Sequence, residues 1–186
     1  MKATDFEGAE PRMTLEDFFA GRTRAWGLFQ DRFGNVRRQF TVDITGVWDD
    51  PAQQLELTEN FHYDDGAEET RVWRIHKLDG SRYRATTDGL VGDAAIEAHG
   101  NAVNLAYTLK LPIGGKTWAL DFDDWMFRQD DEVVINRALV KKWGLQLGTA
   151  IIFFMREPET ASGGRRRNGG TAMPRKESAE PRAAAE

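Results

Sequence analysis

Charged side chains that fall in phase with apolar strand faces set the chemistry open to this chain. Glu59 alternates with Leu55, Leu57, Phe61 and Tyr63, Arg71 with Trp73 and Ile75, and Asp124 with Phe122 and Met126. A strand with one buried face repeats every two residues, so such a charge points where its apolar neighbours point. A three-residue loop at Asp64–Gly66 sets Leu57 against Trp73, Leu55 against Ile75 and Glu59 against Arg71. A two-residue turn at Asp79-Gly80 then brings Asp88 opposite Arg71. Gly114-Gly115 supplies the positive-φ residues of another two-residue turn, pairing Leu111 with Trp118, Leu109 with Leu120, Tyr107 with Phe122 and Leu105 with Asp124. A further turn at Asp130-Asp131 puts Met126 opposite Ile135, Trp125 opposite Asn136 and Asp124 opposite Arg137. Charges on an apolar face are costly unless they are paired, so these groups either lock the fold or serve a ligand. The candidate ligand-binding residues are Glu59, Arg71, Trp73, Asp88, Tyr107, Asp124 and Arg137. A carboxyl in a dry apolar lumen has a raised pKa unless an arginine holds it ionised, and can then act as a general acid or base. No residue is assigned a catalytic role on this basis.

Other chemistry-bearing residues give weaker signals. Asp121 and Asp123 share a face with Asn104 and Asn136, which suits a hard cation, but no loop has calcium-site spacing and a solvated face is the plainer reading. His62, His76 and His99 sit on separate strands without metal-ligand spacing. Ser81, Ser162 and Ser178 fall in turns or the tail, so no serine triad is expected. The phrases GLVGDA and GLQLG lack the strand-to-helix context of a nucleotide loop. No metal or cofactor is expected.

The elements that must position these residues are strands. Alternating or turn-bounded segments recur at Arg24–Phe29, Val36–Thr45, Gln54–Tyr63, Arg71–Ile75, Tyr83–Asp88, Val103–Leu111, Trp118–Phe127 and Thr149–Met155, with Leu139–Leu147 ambiguous between strand and helix. Gly89–Gly100 is irregular and suggests a bulge or bend. Thr14-Leu-Glu-Asp17 resembles a capping box ahead of Leu15, Phe18 and Phe19, so a short helix ending at Gly21 is predicted as a plug on the sheet. Roughly ten short strands joined by hairpins argue an all-β, antiparallel up-and-down meander. Closure removes its exposed edges, so a lipocalin-like barrel with room for one small ligand is the expected architecture. The expected organisation is an irregular N-terminal arm at 1–13, a single barrel domain at 14–156 and a disordered tail at 157–186.

Composition sets further bounds. The 186 residues carry a net charge of -5, which disfavours nucleic acid as a partner. There is no cysteine, which excludes disulfides and thiolate chemistry. The first residues lack the apolar segment of a secretory signal, and no run of about 18 apolar residues spans a membrane. A cytoplasmic site is therefore expected. The Arg165-Arg166-Arg167 run in the tail could touch an anionic membrane surface, although a solvated tail is the simpler reading.

Longer phrases carry a resemblance. DFDDWMF at 121–127, INRA at 135–138, KKWGLQLGTAIIFF at 141–154, RVWRI at 71–75 and FFAGRTRAWGLF at 18–29 resemble the bacterial domain-of-unknown-function 3833 family. The resemblance covers about residues 4–156 and implies a lipocalin-like domain, with many relatives lipoproteins; the signal and anchoring cysteine of those relatives are missing here. It also implies an association with enzymes that modify membrane acyl chains. The leading expectation is a binding or accessory protein for lipids or acyl chains in bacterial membrane fatty-acid modification, with peripheral contact at the inner membrane. The alternatives are an enzyme acting on modified acyl chains, for example in oxygenated or furan fatty-acid formation, and a filled barrel with a structural or interaction role.

Overall fold

Hydrophobic alternation at a period of two builds nearly the whole molecule. The computed structural model describes residues 1–158, and the expected disordered tail and its arginine run lie beyond the described residues, apart from the first two tail positions. Ten strands follow one another as β1 (Gly21–Asp31), β2 (Val36–Asp49), β3 (Gln54–Tyr63), β4 (Glu68–Lys77), β5 (Arg82–Thr86), β6 (Ala94–His99), β7 (Ala102–Ile113), β8 (Lys116–Arg128), β9 (Val133–Lys142) and β10 (Leu145–Arg156). Each pairs antiparallel with its neighbour in sequence, and β10 pairs back onto β1, so the sheet closes as an up-and-down barrel. The segment ambiguous between strand and helix is the end of β9 and the start of β10, joined by a tight turn at Trp143-Gly144. The barrel has one closed and one open end.

The closed end is sealed by α1 (Leu15–Phe19), the predicted plug. The Thr14 hydroxyl accepts from the Asp17 amide at 3.3 Å and starts the helix. Leu15, Phe18 and Phe19 are buried, and the Phe19 ring meets Phe154 of β10 edge-on at 5.5 Å. Gly46 on β2 makes this approach possible, because a Cβ there would lie 1.8 Å from the Phe19 carbonyl oxygen. Two ion pairs and a hydrogen bond fasten the helix to the strands beneath it. Lys77 meets Glu16 at 2.5 Å, Tyr83 donates to Glu16 at 2.9 Å, and Arg128 meets Asp17 at 2.6 Å. Ahead of the plug, a short 3-10 turn at Ala3–Phe6 lies on the outside of the barrel. There Phe6 packs on Trp125 and Phe127, at 6.0 and 5.4 Å between ring centres. Trp125 points outward as expected, yet it is buried rather than solvated because the arm covers it.

Two expected registers hold throughout. Leu111 to Trp118, Leu109 to Leu120, Tyr107 to Phe122 and Leu105 to Asp124 pair across β7 and β8. Leu57 to Trp73, Leu55 to Ile75 and Glu59 to Arg71 pair across β3 and β4. Two others are off by one residue, for the same reason. Asp79 and Asp130 each turn their carboxylate back onto two following amides, Ser81 and Arg82 at 2.9 and 2.8 Å, and Glu132 and Val133 at 2.8 Å each. Such side-chain bonds hold a loop of three residues rather than two. Gln129 therefore pairs with Val133, and Asp124 faces Ala138, Trp125 faces Arg137 and Met126 faces Asn136. A slip of one residue inverts a strand's faces, so Asn136 points inward and Arg137 outward into solvent.

At the open end the hairpin tips differ in charge. Three neighbouring stretches, 32–37, 112–118 and 140–147, hold Arg32, Arg37, Lys116, Lys141 and Lys142 and no acidic residue. On the other side of β2, across the mouth from the β9–β10 tip, the β3–β4 connection at 63–69 holds Asp64, Asp65, Glu68 and Glu69 and no basic residue.

Candidate functional site

The barrel encloses a cavity of about 770 Å³ that runs from Leu15 and Phe19 at the plug to Ile113, Gly114 and Leu147 at the mouth. That is within the usual range for small-molecule sites, roughly 300–1,000 Å³. Its walls are mostly apolar: Leu57, Ile75, Leu105, Met126 and Phe154 below, and Phe29, Phe40, Leu111, Phe122 and Ile152 above. The filled-barrel expectation does not fit this lumen.

A polar belt crosses the cavity at mid-depth. Glu59 on β3 accepts from the Trp73 indole at 3.3 Å, and the Trp73 ring meets Tyr107 edge-on at 5.4 Å. Tyr107 stacks on Phe122 at 4.8 Å and donates to Asp124 at 3.4 Å. Asn136 donates from its amide both to Asp124 and to the Trp125 carbonyl, while its own Oδ1 is buried with no partner among the described residues. Arg71 donates to Glu69 at 2.5 Å, and Tyr63 donates to the other Glu69 oxygen at 3.0 Å. At the top of the lumen the Arg38 guanidinium lies 3.5 Å from the Tyr63 ring centre and is held by Asp65 at 2.8 Å.

Burial decides the protonation of this belt. It pushes the Glu59 carboxyl up to about 7, and Arg71 across the strand pair offsets only part of that rise. It pushes Asp124 up to about 6, against the hydrogen bonds from Asn136 and Tyr107. The Tyr107 phenol is driven well above its ordinary value by burial and by Asp124. Burial alone would lower Arg71, but Glu59 and Glu69 outweigh it and hold the guanidinium charged. The belt thus combines one fixed cation with two carboxyls able to exchange protons near neutral pH.

The structure gathers Glu59, Arg71, Trp73, Tyr107 and Asp124 around one cavity. It separates Arg137 from them, and leaves Asp88 outside this cavity but on a second hollow that Arg71 also lines. Arg137 lies outside the barrel, so no Asp124–Arg137 ion pair exists. Asp88 lies past the end of β5, exposed, and Arg71 takes Glu69 as its partner instead. Because β5 and β6 are short, the wall between β4 and β7 is low. A second hollow of about 400 Å³ opens there, lined by Arg38, Tyr63, Glu69, Arg71 and Asp88. The cavity therefore reaches solvent both through the mouth and beside Arg71. Glu69 was not among the candidate residues, and Asn136 was expected on the outer face with Asp121 and Asp123. Glu69 is two residues before Arg71 and so in phase with it, whereas Asn136 was hidden by the Asp130 loop. Among the described residues no cluster of His, Asp and Glu could hold a metal ion.

The architecture has known counterparts. The S-type phycobiliprotein lyase CPES from Guillardia theta superposes with a TM-score of 0.55 at 11% identity, covering 86% of this chain and 100% of that one. A protein of unknown function from the DUF3598 family of Nostoc punctiforme superposes with a TM-score of 0.55 at 11% identity, covering 80% of this chain and 51% of that one, so the similarity spans about half of the Nostoc protein. At such identities the likeness is one of fold. No curated protein matches the sequence. The family described as protein of unknown function (DUF3833) matches residues 1–156, the plug and every strand of the barrel, and the chain belongs to that family.

Proposed function

We propose that this barrel binds one amphipathic small molecule in its lumen, with an acyl chain as the ligand class. The observation that carries the reading is the open cavity of about 770 Å³, mostly apolar above and below a polar belt at mid-depth, with Arg37, Arg38 and Asp65 at its mouth. Buried polar atoms are rarely left unpaired, so the free Asn136 Oδ1 supports a ligand that brings a hydrogen-bond donor to mid-depth. From Asp124 to Trp118 at the rim is roughly 20 Å along the strand, enough for an extended hydrocarbon tail. That a fold counterpart is a phycobiliprotein lyase agrees with a small-molecule lumen, but says nothing of acyl chains.

Native mass spectrometry of the purified protein is the direct test. The expected result is a bound lipid that is absent from an Ala150→Phe variant, in which the new ring occupies the lumen. An empty wild-type barrel that also fails to take up long-chain fatty acids would overturn the reading. The second reading, an enzyme acting on modified acyl chains, is favoured by two proton-exchanging carboxyls facing one cavity. It expects the whole-cell fatty-acid profile to change on gene deletion and to stay changed when a Glu59→Gln or Asp124→Asn copy is returned. Restoration by both variants would leave binding alone.

A further inference from the structure

The rim of the barrel carries a surface unlike the rest of the molecule. Trp143 at the tip of the β9–β10 hairpin is 83% exposed, Phe33 at the tip of the β1–β2 hairpin 74%, and Leu145 beside Trp143 64%. The two hairpins are adjacent in the closed sheet and bonded to each other, the Arg32 amide donating to the Leu147 carbonyl at 2.9 Å. Ile113, on the neighbouring β7–β8 hairpin, is also exposed. Cations stand among these rings. The Arg32 guanidinium lies 4.7 Å from the Phe33 ring centre, and the Lys142 ammonium 3.2 Å from that of Trp118 and 4.5 Å from that of Trp143.

Trp143 also has an unfavourable backbone. Its φ is +52°, followed by Gly144 at +78°, the conformation of a type I′ turn. Asn or Gly normally fills the first of these positions, and a bulky residue there is an outlier. The indole is almost fully exposed, so burial in the protein core does not repay this strain. Strain that the fold does not need is a signature of a functional position.

We propose that this lip of the mouth docks on the surface of an anionic phospholipid bilayer, with Phe33, Trp143 and Leu145 entering the interface. Aromatic side chains with an apolar body and a polar edge settle at that depth, and lysine and arginine beside them meet the lipid phosphates. Charge complementarity favours lipid over a protein groove. The exposed apolar residues sit among five basic residues, of which Arg37 is paired with Asp31 at 2.6 Å while Arg32, Lys116, Lys141 and Lys142 form no ion pair among the described residues, on a chain whose net charge is -5. The acidic β3–β4 hairpin adjoins β2 and lies across the mouth from Trp143, so the barrel meets the bilayer tilted toward the β9–β10 tip, with the low wall beside Arg71 lifted clear. This inference concerns the outer rim and does not depend on what occupies the lumen.

Flotation of the full chain with phosphatidylglycerol–phosphatidylcholine vesicles, and with phosphatidylcholine vesicles alone, tests it. The wild type is expected to float with the anionic vesicles only, and less as salt is raised. Phe33→Ser with Trp143→Asn should weaken binding at least about tenfold by removing two interfacial rings. Trp143→Asn relieves the turn, so thermal stability should hold or rise while binding falls, an outcome that a structural role for the indole does not give. Lys141→Gln with Lys142→Gln should weaken binding likewise. Val47→Ser, exposed near the closed end, should not change it. Replacing Arg165, Arg166 and Arg167 with glutamine separates the tail from the rim and should leave the Trp143 dependence intact. Anionic vesicles that bind neither the wild type nor the tail variant overturn the proposal, as does binding unaffected by the rim variants. Self-association that these variants abolish, without vesicle binding, would assign the lip to a second copy of the chain and also overturn it.

Discussion

Asp124 and Arg137 lie only 13 positions apart, yet the barrel wall separates their environments. Removing the exposed Arg137 side chain should change stability by no more than about 0.5 kcal/mol. Asp124→Ala should cost about 1–3 kcal/mol, because Asn136 and Tyr107 would be left with unmet hydrogen bonds in an apolar lumen. Denaturant unfolding of the two variants checks both, and equal losses would restore the discarded ion pair. Protonation adds a second expectation. Glu59 and Asp124 have folded-state pKa values raised to about 7 and about 6. The unfolded values are near the usual carboxylate range, so the folded state holds these protons more tightly than the unfolded state does. The resulting stability is complete below about pH 4 and is lost as pH rises through 6 to 7. For these two groups, thermal stability should be higher near pH 5 than near pH 8, and Glu59→Gln with Asp124→Asn should flatten that slope. The faces of β3, β4, β7 and β8 were legible because each alternates large apolar with polar side chains. β9 was not, since Val133, Ile135 and Leu139 on its outside are as apolar as Val134, Ala138 and Val140 on its inside. Neither register of that strand looked wrong, and Asn136 was lost with it.

At the level of elements, the connections decided what alternation could not. Gly114-Gly115 reads as a two-residue turn because glycine adopts positive φ freely, and it is one. Asp79 and Asp130 bond to amides ahead of them, a choice that depends on side-chain geometry and that composition does not display. The plug is the opposite case, legible in both its cap and its apolar spacing. What the sequence did not reveal is that Gly46, some thirty residues later, leaves space for it. Gly46→Ala should cost about 1–3 kcal/mol, since the new methyl would strike the Phe19 carbonyl and push α1 off the barrel base. Thermal unfolding together with increased binding of a hydrophobic dye would show the base opening. Unchanged stability would mean that the helix does not need this close approach.

At the scale of the whole molecule, charge is distributed unevenly around the mouth. One lip carries Arg32, Lys116, Lys141, Lys142 and Arg37, the last paired with Asp31, and the β3–β4 hairpin beyond β2 carries Asp64, Asp65, Glu68 and Glu69. Screening in solution reaches roughly 8–10 Å at ordinary salt, shorter than a barrel is wide, so a charged surface senses one lip at a time. Behaviour on a charged resin should then follow the nearer lip rather than the total. A chain of net charge -5 would ordinarily pass through a cation exchanger at neutral pH. This one should be retained at about 0.1 M salt, where screening is that short, held by its basic lip, and also by an anion exchanger through the other. Lys141→Gln with Lys142→Gln should release the first retention and leave the second, which makes the chain behave as a base or as an acid according to the side it presents.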